Sequence, residues 1–258
     1  MQDSVAGLRL AVGTLTVVPV GEIADPTRGH ARWAMALAPV AALPIAVAVS
    51  GVAVLGHLAS LPALLTATLA IAAVAAGTRG MHLDGLADTV DGLGAGWTRE
   101  RALEVMRRGD VGPMGVAALI FVLLVQVAAL TAIVDRPQGW LVAGAAVVAS
   151  RTSVLLTCRA GMPSARPSGL GAVVAGSVPT WVSGLGGLVV MGLLSATAAA
   201  TGLRPAAGVV AVVLAAVAVG LLLRTCRRVF GGVTGDIMGA AIEVALAVIL
   251  VVLSSGRW

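Results

Sequence analysis

The chain has no lysine; all 17 of its basic residues are arginine. With so much Ala, Gly and Val, that bias reflects a GC-rich bacterial genome rather than a mechanism. Charge of either sign is scarce: 11% of residues are charged, against roughly twice that in a soluble globular domain. That shortage excludes an ordinary soluble fold. The alternation of apolar and polar residues that marks a transmembrane β-barrel is also missing. The two cysteines, Cys158 and Cys226, are far apart and have no His pattern near them, which argues against a zinc site or a disulfide. No basic n-region opens the chain, since Asp3 stands there, and no small-residue cleavage site follows 8–18. The N-terminus is therefore not expected to be a cleavable signal. The net charge of +5 does not indicate nucleic-acid binding, because most arginines lie in short loops between apolar runs.

Those apolar runs are what the chain has in plenty. It is 59% hydrophobic, and several stretches lack an ionisable group over 17 or more residues. The expected fold is an all-α, polytopic integral membrane bundle forming a single domain over 1–258. About seven spans are expected, at 33–55, 61–76, 113–134, 140–157, 181–200, 205–223 and 237–253. Pro39 and Pro44 are expected to kink the first. Residues 8–18 are apolar but too short to cross, and Pro19 ends them, so they read as an interfacial or re-entrant segment. Residues 98–108 read as an amphipathic helix with Thr98 as N-cap, Glu100 in the first turn and Arg107 and Arg108 in the last.

The arginines also give an orientation. With a cytoplasmic N-terminus and seven alternating spans, thirteen arginines fall on the cytoplasmic side and Arg136, Arg204 and Arg257 outside, while Arg151 lies within a span. That is a strong positive-inside bias. It predicts a bacterial inner-membrane protein with three polar segments on the cytoplasmic face. These are the stretch from His82 to Trp97, the loop ARPSGLG (165–171) and the junction GGVTGD (231–236).

The first of these segments is the most informative. It holds three of the twelve acidic residues, Asp84, Asp88 and Asp91, at i, i+4 and i+7. On a helix those offsets fall within about 60° of one another, on a single stripe. Three carboxylates on one stripe repel unless a cation sits among them. Oxygen-only donors suit a hard ion such as Mg²⁺, which completes its shell with water and substrate phosphate. Gly85, Gly92 and Gly94 between the acids suggest close approach by a ligand or a neighbouring backbone.

Asp236 and Glu243 are again seven apart, on the last span. Glu243 would lie roughly 9 Å into that helix, where a carboxylate is costly and is a functional candidate by default. The alternative is a structural pair with Arg151, at a similar depth in the fourth span. Asp236 is a candidate fourth metal ligand or general base. Arg151, Arg159 and Arg166 match phosphate oxygens through the guanidinium fork; for Arg159 and Arg166, lipid-headgroup anchoring is the equal alternative. His82 either orients a carboxylate or binds phosphate, or is simply a residue near a helix end. Glu104 either joins the metal ligands or pairs with Arg101 or Arg108 on its own helix. His30, His57, Trp33, Trp97, Trp140 and Trp181 read as interface residues. Together the carboxylates, the hard cation and the arginines suit group transfer at a phosphoanhydride, with a carboxylate as base for an attacking hydroxyl.

The run GTRGMHLDGLADTVDGLGAGWTRERALEVMRRGDVGPMG (77–115) resembles the first signature of the cobalamin synthase family, the adenosylcobinamide-GDP ribazoletransferases. GGVTGDIMGAAIE (231–243) resembles the second, and LTVVP (15–19) and ARPSGLG look like weaker marks. The resemblance covers essentially the whole chain in order. Pro113 departs from the small or aromatic residue expected there. The resemblance implies the final joining step of the cobalamin nucleotide loop. Adenosylcobinamide-GDP, a corrinoid nucleotide, would join α-ribazole or its 5′-phosphate and release GMP, with Mg²⁺. Two rivals share spaced aspartates: CDP-alcohol-type membrane phosphotransferases, whose spacing and Ala-Arg pair differ, and prenyltransferases. A cation-coupled carrier is a third, but it would place its charges near the midplane rather than at one face.

Overall fold

A computed structural model describes residues 2–21, 27–95 and 98–255. Trp97 and Arg257 lie outside them. The described residues form fourteen helices and no strand. In order these are α1 (Gln2–Leu15), α2 (Arg28–Ala36), α3 (Ala38–Ala41), α4 (Leu43–Leu58), α5 (Ala63–Gly77), α6 (Met81–Gly94) and α7 (Arg99–Val105). Then follow α8 (Pro113–Val134), α9 (Gly139–Ser150), α10 (Ser153–Thr157), α11 (Leu170–Val174), α12 (Thr180–Ala200), α13 (Ala206–Phe230) and α14 (Gly235–Ser254).

The expected all-α membrane bundle is present, but among the described residues fewer than seven helices are long and apolar enough to be full spans. Five segments are long and apolar enough to cross: α8, α9 with α10, α12, α13 and α14. A sixth arises only if α5 and α6, bent by 86°, count as one. The shortfall lies in the first two expected spans, and its cause is local. Pro39 and Pro44 sit in the first turns of α3 and α4, where a missing N–H costs nothing. They divide 33–55 into separate helices rather than kinking one. α4 keeps 16 residues, about 24 Å of helix against a hydrocarbon core of about 30 Å. α5 stops at Gly77, and the chain turns through Arg79 and Gly80, both at positive φ. The helix after Thr98 is also shorter than expected. Thr98 does cap it, accepting the amide of Arg101, but α7 ends at Val105 and leaves Arg107 and Arg108 beyond its last turn.

α14 is the central post. It is buried along most of its length and packs against α6, α8, α9, α10 and α13. α8, α12 and α13 present Ile120, Phe121, Leu188, Val189, Val217 and Leu221 outward. That is the surface expected of helices facing lipid, which is no less apolar than their side chains. α4 runs alongside α9, with Gly144 against Ser50 and the Ser50 hydroxyl donating to the Trp140 carbonyl at 2.9 Å. α1 lies across α2 and α3 with Gly7 against Trp33, and Val17 donates its amide to the Gly77 carbonyl at 2.9 Å.

The bundle has two distinct ends. At one, Arg136 at the foot of α8 reaches the Ser254 carbonyl of α14. At the other, the three polar segments meet. Val233 exchanges backbone hydrogen bonds with Pro163 and Ala165, at 2.9 and 3.0 Å, so the ARPSGLG loop is stitched to the GGVTGD junction.

Candidate active site

α6 crosses α14 at two glycines. A Cβ on Gly85 would come within 2.6 Å of the Asp236 carbonyl, and one on Gly239 within 3.0 Å of the His82 Cα. A side chain at Gly85 would force the backbones apart and one at Gly239 would crowd them, so the two helices touch backbone to backbone. The first acidic motif and Asp236, about 150 residues apart in the chain, therefore stand side by side.

Thr234 caps α14. Its hydroxyl accepts the amide of Ile237 at 3.3 Å and donates to the Asp236 carboxylate at 3.1 Å. Asp236 also faces Arg166, at 3.6 Å. Arg166 in turn donates to the Leu103 carbonyl of α7, while its Nε is buried with no protein partner. Arg99, a residue that sequence reasoning left among the loop charges, holds the same loop from the other side by donating to the Ala165 carbonyl at 3.0 Å. Its guanidinium lies against Gly231, where a side chain would collide with it.

Across from this pair, Asp84 is exposed and Asp88 half-buried. Asp88 feels three like charges, Asp84, Asp236 and Asp91, against one opposite charge, Arg166. Such a cluster favours a cation or a proton among its members.

Two expected metal ligands are occupied elsewhere. Asp91 is buried, and both its oxygens accept backbone amides at the start of α8, from Gly112 at 2.7 Å and from Gly115 at 2.8 Å. It caps a neighbouring helix, where a carboxylate satisfies free N–H groups and opposes the helix dipole. Gly112 and Gly115 leave no room for a Cβ beside it, and Pro113 at the first turn removes an amide that would have no partner. The departure at Pro113 therefore fits the cap. Glu104 is bound by Arg101 at 2.9 Å and Arg108 at 3.0 Å on the helix surface. Hydrogen bonds from Arg108 and Arg101 hold its carboxyl below the usual range. It takes the bland alternative of its two.

One tier deeper lies a second polar group. Glu243, seven residues along α14 from Asp236 and so about 10 Å further in, accepts a hydrogen bond at 2.8 Å from Gln126 of α8. Arg151 is fully buried beside it. Its Nη1 donates to the Ser150 hydroxyl and the Val147 carbonyl, and its Nε and Nη2 have no protein partner. Arg151 acts on Glu243 as a neighbouring charge, yet among the described residues the two form no direct ion pair. Gln126, not Arg151, is the direct partner, and it is the one strongly polar side chain in the apolar run of α8. Both ring nitrogens of His82 are buried in the same region, near Arg151 and without a protein partner. Arg159 is not part of either tier. It lines a separate cavity with Arg224 and Arg227.

Among the described residues no three acidic, His or Cys side chains converge closely enough to chelate a metal by themselves. The donor set still fits Mg²⁺, which usually takes one or two carboxylates and completes its shell with phosphate and water. Asp84, Asp88 and Asp236 provide all-oxygen donors with excess negative charge at the mouth of the site.

Residues 7–254 match the model of the cobalamin-5-phosphate synthase family. The chain belongs to that family. A Nocardioides relative is 47% identical over 242 residues, covering 94% of this chain and 95% of its own. Relatives from Frankia casuarinae and Bradyrhizobium diazoefficiens are 39% and 38% identical, over 95% and 98% of this chain and 93% and 94% of theirs. All three are named adenosylcobinamide-GDP ribazoletransferase. No solved structure matches the chain. Membership of the cobalamin-5-phosphate synthase family sets aside the CDP-alcohol, prenyltransferase and carrier readings, and makes the protein a multi-pass membrane transferase.

Proposed function

We propose that this chain is an adenosylcobinamide-GDP ribazoletransferase whose reaction takes place where α6 meets α14. The observation that carries the reading is the packing of α6 on Asp236 at Gly85, which sets Asp88 among the charges of Asp84, Asp236 and Arg166, with Arg166 paired to Asp236. Two substrates meet there: the GDP-activated corrinoid and α-ribazole or its 5′-phosphate. The ribose hydroxyl attacks the cobinamide-side phosphorus, the bond to the GMP oxygen breaks, and GMP leaves. Arg166 holds a diphosphate oxygen, since its guanidinium has donors to spare beyond Leu103 and Asp236. A carboxylate of the cluster takes the hydroxyl proton. Mg²⁺, with ligands drawn from Asp84, Asp88 and Asp236, would neutralise the diphosphate and the developing charge on the leaving phosphate. One tier below, Glu243 ties α14 to α8 through Gln126, with His82 and Arg151 buried in the same region. The test is direct: membranes containing the protein, given Mg²⁺, the GDP-activated corrinoid and α-ribazole, should release GMP and form the joined corrinoid. Absence of both products sinks the reading.

We place the site on the cytoplasmic face of the bacterial inner membrane, on the strength of the thirteen arginines at that end against Arg136 and Arg204 at the other among the described residues. Cys158 and Cys226 are both buried and can be replaced to give a background for labelling. Single cysteines introduced at Arg99 and Arg227 should react only from the cytoplasm, and one at Gln138 only from outside. Labelling of Arg99 and Arg227 from opposite sides would contradict a single converged face.

A further inference from the structure

We propose that the cleft where α10 meets α13 binds an anionic phospholipid, with its phosphate on Arg159, Arg224 and Arg227 and an acyl chain in the apolar groove between α12 and α13. This inference does not depend on the reaction proposed above. Two cavities carry it. One, of about 350 Å³, holds all three guanidinium side chains over a floor that includes Leu156 and Leu223. The other, of about 240 Å³, is almost wholly apolar and lies deeper in the membrane, between α12 and α13. They share Leu156 and Ala216, so the basic cleft and the apolar groove lie end to end.

Both follow a stripe on α13. Val212, Ala216, Val219, Leu223 and Arg227 recur at three- and four-residue spacing, apolar at depth and basic at the end of the bundle that carries the acidic motifs. Their walls are thin by composition. A Cβ on Gly184, Gly187 or Gly220 would meet nothing within 4 Å. Among the described residues none of the three arginine side chains has an ion pair. Like charges gathered at one cleft repel, and a phosphate placed among them removes that repulsion and takes up the guanidinium donors. A soluble phosphate would satisfy the arginines but leave the groove unfilled. A zwitterionic lipid would fill the groove but add its own cation beside three others. An anionic diacyl lipid satisfies both halves.

The experiment uses the whole protein in detergent, exposed to phosphatidylglycerol or phosphatidylcholine, with bound lipid counted by native mass spectrometry. The native chain should retain phosphatidylglycerol in preference. Each arginine near an anionic headgroup is worth about fivefold in affinity, so the combined Arg159→Gln, Arg224→Gln and Arg227→Gln variant should lose about a hundredfold for phosphatidylglycerol and little for phosphatidylcholine. Ala216→Phe, which fills space where the two cavities adjoin while leaving the arginines intact, should lower retention of phosphatidylglycerol. Because Ala216 is exposed, that variant keeps the test alive even if the triple variant fails to fold. Equal retention of the two lipids by the native chain overturns the proposal. So does displacement of the lipid by inorganic phosphate or GMP together with unchanged binding in Ala216→Phe, which would assign the arginines to a soluble phosphate.

Discussion

Asp84→Asn, Asp88→Asn and Asp236→Asn are each expected to lower the release of GMP by at least about a hundredfold, the scale of losing one electrostatic contact made in the transition state. Asparagine keeps the size and removes the charge, so the contact of α6 with α14 through Gly85 should survive. The magnesium titration separates the roles. A residue that holds the ion should need more Mg²⁺ when changed, whereas the general base should lose turnover with an unchanged requirement. Normal rates in two of the three variants would overturn the shared site and leave the chemistry to the arginines.

Asp91 should behave differently, although it lies on the same helical stripe. Asp91→Ala strands two buried amides, those of Gly112 and Gly115, at the start of α8. Each amide left without a partner costs about 1–3 kcal/mol, so the variant should melt well below the parent in detergent. Asp91→Asn keeps one acceptor oxygen and should fall between the two. Whatever activity survives should show the parent's Mg²⁺ requirement. A raised requirement with no loss of thermal stability would return Asp91 to the metal.

The contrast between Asp88 and Asp91 shows what was legible in the sequence. Periodicity places three aspartates on one stripe, and the structure keeps them there. It does not say what packs on each end of the stripe. α14 brings Asp236 to Asp84 and Asp88, while the first amides of α8 reach Asp91. A signal for the second contact was present in the two glycines flanking Pro113 and Met114, but its meaning depends on a partner 21 residues away in the chain. Glu243 was recognisable as a costly carboxylate, and Arg151 as a residue of similar depth. Gln126 was missed because a neutral amide barely disturbs an apolar run.

The fold divides in the same way. The long apolar runs from α8 onward read directly as crossings. The stretch before α6 does not, because hydrophobicity summed over a window is blind to where Pro39 and Pro44 interrupt the hydrogen-bond ladder.

The position of α14 also bears on how the protein is made. It is the last described helix in chain order, yet most other helices near the site pack on it. Until it inserts, Gln126 has no Glu243 to donate to and Arg166 has no Asp236 to face. A nascent chain halted before Gly235 thus carries the Gln126 amide in α8 without its α14 partner. Such an intermediate offers membrane quality control a recognisable fault, and it holds only part of the carboxylate cluster, so the capacity to cleave an activated corrinoid arrives with α14 rather than before it.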